Sequence, residues 1–108
     1  MRLTITQRLE AQLRLALLGD CGCEQTIATL SQAAQANGMT WAEIDSALSG
    51  RSFEARTDAA IAYACAIKSG NSVALDLART RAARLEIGTD ELAAVAHAAR
   101  RILMESET

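Results

Sequence analysis

Two cysteines separated by one glycine, Cys21-Gly22-Cys23, are the residues of this chain best suited to chemistry. A thiolate is a nucleophile, and two neighbouring thiols can cycle between dithiol and disulfide. The downstream periodicity predicts a helix opening here, with Asp20 or Cys21 as its N-cap and Cys23 in its first turn. Free amides and the helix dipole favour a thiolate at that place. Asp20 and Glu24 add negative charge and act in the opposite direction. The acids are expected to prevail, leaving Cys23 with a near-normal pKa. Residues two apart on a helix point away from each other, so a Cys21–Cys23 bridge requires Gly22 to be non-helical. Such a disulfide would be strained and easily reduced. Cys65 and the single histidine, His97, lie far along the chain and share no metal-ligand spacing with Cys21 and Cys23. No metal and no cofactor are expected. His97 falls at the edge of an apolar face made by Leu92, Val95, Ala96, Ala99 and Ile102, and is expected at or near the surface.

The elements that position these groups read as about six short helices. Leu9, Leu13, Ala16 and Leu17 form the stripe of the first, with Thr4 and Gln7 as a capping box, and Gly19 to Gly22 break it. The second carries Ile27, Leu30 and Ala34 and stops at Asn37-Gly38. Thr40 and Glu43 form a capping box for the third, with Met39 and Ile44 as the flanking hydrophobic staple. Ser49-Gly50 ends it, and a linker through Phe53 leads to Thr57 as N-cap, with Asp58 in the first turn of the fourth helix. Ser69 to Ser72 separate that helix from a fifth bearing Leu75, Ala78, Ala82 and Leu85. Ile87 and Leu92 flank a Gly88 or Thr89 cap as Met39 and Ile44 flank Thr40, so a helix-turn-helix unit occurs twice. The last helix is expected to end near Met104, with Glu105 to Thr108 frayed.

Composition bounds the rest. The chain has 108 residues, half of them apolar, and only Trp41, Phe53 and Tyr63 are aromatic. A single domain over 1–108 with an alanine-rich core follows, and such helices bury little area each, which favours oligomers. The net charge of -2 with mixed signs calls for no nucleic acid and no anionic membrane. Residues 1–18 are interrupted by Arg2, Arg8, Glu10 and Arg14 and read as neither signal peptide nor membrane span. A cytoplasmic, reducing location is expected, with the cysteines as thiols.

Gly22-Cys23-Glu24-Gln25-Thr26, followed by Gly38-Met39-Thr40-Trp41-Ala42-Glu43-Ile44, resembles the alkylhydroperoxidase D-like / carboxymuconolactone decarboxylase family. Members commonly carry G-C-E-x-C-x-x-x-H and then G-[LM]-[ST]-x-x-E-[IL]. The resemblance implies an all-α orthogonal helical bundle that assembles as a homotrimer or hexamer, with a cysteine pocket between helices. Of the family's functional positions, Cys23 keeps its identity. The second cysteine falls on Thr26, the histidine on Leu30, and the glutamate of the preceding helix on Ala11. The resemblance therefore implies a degenerate site, whose residual activity would be thiol-dependent peroxide or disulfide reduction at Cys23 with Cys21.

Two other classes remain open at this point. One is a non-catalytic oligomeric scaffold that binds a small apolar ligand or a partner protein. The other is a helix-turn-helix regulator, for which the third helix is poorly equipped. It presents Glu43 and Asp45 and no base before Arg51, whereas phosphate contacts supply most affinity for DNA. Arg79, Arg81, Arg84, Arg100 and Arg101 are expected to form a solvated face, paired with acids such as Asp76 and Glu105.

Overall fold

The protein was analysed as a computed structural model that describes residues 3–19 and 23–106, and among them the chain forms six helices and no strand. These are α1 (Gln7–Leu18), α2 (Glu24–Ala36), α3 (Trp41–Leu48), α4 (Ala55–Ser69), α5 (Ser72–Arg84) and α6 (Thr89–Ser106). No helix is long and apolar enough to cross a membrane.

Three helix boundaries depart from expectation for local reasons. Thr6, not Thr4, caps α1: its amide donates to the Thr4 carbonyl at 3.0 Å, bending the chain ahead of the helix, and its Oγ1 accepts from the Leu9 amide at 3.0 Å. α4 starts from Glu54 instead of Thr57, because the Asp58 amide already donates to the Glu54 carbonyl at 2.8 Å. Thr57 lies inside the first turn and donates its hydroxyl to Glu54 Oε1 at 3.1 Å. α6 continues to Ser106 because Glu105, expected to fray, accepts from Arg14 at 2.8 Å and Arg101 at 3.3 Å. The Thr40 capping box is formed as expected, and Met39 and Ile44 are both buried beside it.

The two halves of the molecule repeat each other at a constant offset of 48 residues. Helix starts Gln7, Glu24 and Trp41 are matched by Ala55, Ser72 and Thr89, and the residues before them match likewise. The turn that precedes the third helix of each half has positive φ at the same place, Gly38 at 84° and Glu86 at 61°. An arginine spans each of these turns. Arg8 donates to the Gly38 carbonyl at 3.1 Å and pairs with Glu43. Arg56 donates to the Glu86 carbonyl and to Glu91 Oε2, each at 3.4 Å. In turn, Glu43 Oε1 accepts from the Thr40 amide at 3.0 Å and Glu91 Oε1 from the Gly88 amide at 2.9 Å. The staple pairs Met39–Ile44 and Ile87–Leu92 are buried in both halves.

α1 is buried on two sides. Ala11 and Leu15 join Ala34, Met39, Ile44 and Ala47 in a small cluster under α2 and α3. Leu9, Leu13, Ala16 and Leu17 face the larger cluster built from α4, α5 and α6. The halves are unequal because α3 stops at Leu48, whereas α6 runs on past the equivalent residue, Ala96, and packs along α1.

Glu86 is the only described non-glycine residue with positive φ, and its repeat counterpart is a glycine. A left-handed conformation costs an L-residue about 1–2 kcal/mol, partly offset by the unfolded-state freedom that glycine adds. Glu86→Gly is therefore expected to stabilise the protein by about 0.5–1 kcal/mol, read as a higher urea midpoint. A lower midpoint would show that the turn carries no strain.

Candidate functional site

α2 begins later than expected, and Cys23 itself is its N-cap, with φ -78° and ψ 112° and its carbonyl accepting from the Ile27 amide at 3.0 Å. The expected caps were Asp20 or Cys21. Both lie outside the described residues, as does Gly22, and with them the Cys21 member of the expected pair. Cys23 is exposed. The N-cap position sets its sulfur beside amides that the helix leaves unsatisfied. The Thr26 hydroxyl, the Thr26 amide and, more weakly, the Gln25 amide hold its thiol below the ordinary value, against a small opposing effect of burial. The direction is opposite to the one expected from Asp20 and Glu24, of which Asp20 lies outside the described residues. Glu24 is exposed, and water screens its charge.

The repeat gives this position a reference. The counterpart of Cys23 is Asn71, whose Oδ1 accepts from the Ala74 amide at 3.1 Å, a strong N-cap. Cysteine is no such capping residue, so helix stability alone does not account for a thiol at residue 23.

At the described positions near Cys23 where the resemblance implies groups that move a proton, other residues stand. Thr26 and Leu30 are half-buried and line a shallow hollow of about 300 Å³ with Gln25 and Thr29. Ala11 and Leu30 line a second hollow of about 280 Å³ between α1 and α2. These are the two positions at which the resemblance implies a glutamate and a histidine. Glu10, on the rim of that hollow, accepts from Arg101 at 2.6 Å and from Arg14 at 3.2 Å. Arg101, and then Arg14, hold its carboxyl below the usual range. A carboxylate so held is a structural anion and a poor base at neutral pH.

The remaining candidates are dispersed. Cys65 is half-buried on α4 and lines a separate apolar hollow against α5, with Leu77 and Arg81 at its edge. His97 is exposed on α6. Among the described residues no three histidine, cysteine, aspartate or glutamate side chains converge on a metal-sized site. Of the basic set, Arg79 pairs with Asp76 at 3.7 Å, Arg101 with Glu10 and Glu105, and Arg81 with Asp58 at 2.7 Å. Arg51, the base nearest α3, also binds Asp58, at 3.0 Å. Asp58 is buried and accepts in addition from the Ser52 amide at 2.8 Å. Burial raises its pKa, but Arg81, Arg51 and the Ser52 amide together hold it below the usual range. Sequence reading had placed it only as a first-turn helix acid.

Comparison with protein-family models, with curated proteins and with solved structures found no match.

Because the Thr26 hydroxyl stabilises the charged sulfur, Thr26→Val should raise the Cys23 pKa, lower the thiolate fraction at pH 7 and slow alkylation. In a Cys21→Ser/Cys65→Ser background, the pH midpoint for iodoacetamide reaction should lie below that of an ordinary thiol and move upward on Thr26→Val. A midpoint that stays in place would separate the hydroxyl from the sulfur.

Proposed function

We propose that the chain is a divergent alkylhydroperoxidase D-like protein whose inherited site is reduced to one solvent-facing thiolate, Cys23. It reduces hydroperoxides or disulfides slowly, with Cys21 as the resolving thiol, in a reducing, cytoplasmic setting. The observation that carries this reading is a cysteine at a helix N-cap, held toward its thiolate by Thr26 and Gln25, where the matching position of the other half has the better cap, Asn71. The placement of Ala11 and Leu30 in one hollow supports the same reading, since the resemblance expects the proton relay there.

The chemistry balances without a cofactor. The Cys23 thiolate attacks the terminal peroxide oxygen, an S–O bond forms as the O–O bond breaks, and the alkoxide leaves and takes up a proton. The sulfur has then lost two electrons as sulfenic acid. Attack by the Cys21 thiol expels water and forms the disulfide, which an external dithiol returns to two thiols. Without a general base the first step runs at the rate of a thiolate of modestly lowered pKa.

Stopped-flow reaction with an organic hydroperoxide tests this. Oxidation should be slow, abolished by Cys23→Ser, and arrested at the sulfenic acid by Cys21→Ser. Unchanged oxidation in Cys23→Ser would defeat the proposal, and fast oxidation would defeat its claim of a reduced site.

Homotrimeric or hexameric assembly belongs to the same proposal. It is supported by the exposed Trp41, Val73, Leu77 and Met104 on a chain whose core is largely alanine. Light scattering at micromolar concentration should report a trimer or larger, and a stable monomer would remove assembly from the reading.

A further inference from the structure

A cleft lies at the N-terminal end of α1, the end away from Cys23. Its volume is about 740 Å³, within the range of small-molecule sites. Three repeat-related pairs line it, Thr6 with Glu54, Arg8 with Arg56, and Leu9 with Thr57, so the two halves meet here through the N-terminal ends of α1 and α4.

Gln12 also lines this cleft, and it is only 7 % exposed. Its carboxamide makes no hydrogen bond with any described residue. The side chain is buried but its amide atoms stay open to the cleft, so they stabilise no contact within the fold. The repeat shows that the fold does not require it either, because the counterpart of Gln12 is Ala60, fully buried in the equivalent place on α4. A donor and an acceptor open to the cleft can pair with a ligand that supplies both.

The surrounding charges restrict that partner. Arg8 and Arg56 line the cleft together with Glu43 and Glu54, equal in number and opposite in sign. Arg8 is held by Glu43 and Arg56 by Glu91. The described lining therefore offers no net charge to draw in an ion. Phe53 stands at its edge with 73 % of its surface exposed, an apolar ring face with little to cover it.

We propose that this cleft binds a small, neutral, planar heterocycle bearing an amide edge, paired donor-to-acceptor and acceptor-to-donor with the Gln12 carboxamide and covered by Phe53. The site is independent of the thiol chemistry, and Cys23→Ser should leave it unchanged.

Nicotinamide and uracil present that edge on two different rings, and nicotinate and 3-methylpyridine serve as the charged and amide-free analogues. In amide-resolved NMR titrations of the full chain, nicotinamide or uracil should shift the Gln12 side-chain NH2 resonances at low millimolar concentration or below. Gln12→Met keeps the side-chain length and removes both polar groups, and Gln12→Ala installs the residue of the other half. Each should remain folded and weaken binding about tenfold or more, as expected when a site built for a hydrogen-bonding edge loses its partner. Phe53→Ala should weaken it by a smaller factor. The proposal fails if neither compound moves the Gln12 signals, if both Gln12 variants bind as the parent does, or if nicotinate or 3-methylpyridine binds as well as nicotinamide.

Discussion

Arg8 and Arg56 each span the turn that follows the second helix of their half, holding the carbonyl of the residue with positive φ and the carboxylate that closes the next helix's cap. Three requirements meet in that one side chain. The turn exposes a carbonyl that no helix satisfies, the capping glutamate needs a countercharge, and two helices must be kept at a fixed approach. A planar guanidinium with several donors answers all of them, as a lysine could not. The staples beneath, Met39 with Ile44 and Ile87 with Leu92, then pack against helices already set at the right angle.

Because the same clamp is used twice, α1 and α4 come together as the first helices of equivalent halves. Their N-terminal ends enclose the cleft with Gln12 in its wall, while the C-terminal end of α1 leads to Cys23. The two candidate sites therefore occupy opposite ends of one helix and share no lining residue. Each is marked by departure from the repeat: Asn71 replaces Cys23 and Ala60 replaces Gln12 in the half where neither chemistry is present.

Much of this was legible in the sequence where local rules decide. The Thr40–Glu43 box, both staples and the stop at Asn37-Gly38 depend on residues within five positions of one another, and they are found as read. The caps of α1 and α4 were misplaced because several polar residues competed for the role and a bend or a neighbouring side chain chose among them. A single apolar stripe on α1 left out Ala11, Gln12 and Leu15, all buried, since packing on a second face leaves no second period to detect. Arg8–Glu43 and Glu10–Arg101 join residues 35 and 91 positions apart, and no local pattern announces such pairs. The lowering of the Cys23 pKa was not read from the sequence because α2 starts two or three residues later than expected, which sets hydrogen-bond donors at the sulfur.

The contact of α6 with α1 joins the last helix of the chain to the first. As the polypeptide emerges from the ribosome, α1 can bury Ala11 and Leu15 as soon as α2 and α3 follow. Leu9, Leu13, Ala16 and Leu17 must wait for α4 to α6. During synthesis the leading half thus carries an uncovered aliphatic strip, a natural target for chaperones or for the strip of another nascent chain. The Arg14–Glu105 and Arg101–Glu10 pairs close over α1 only when the final turn of α6 has been made.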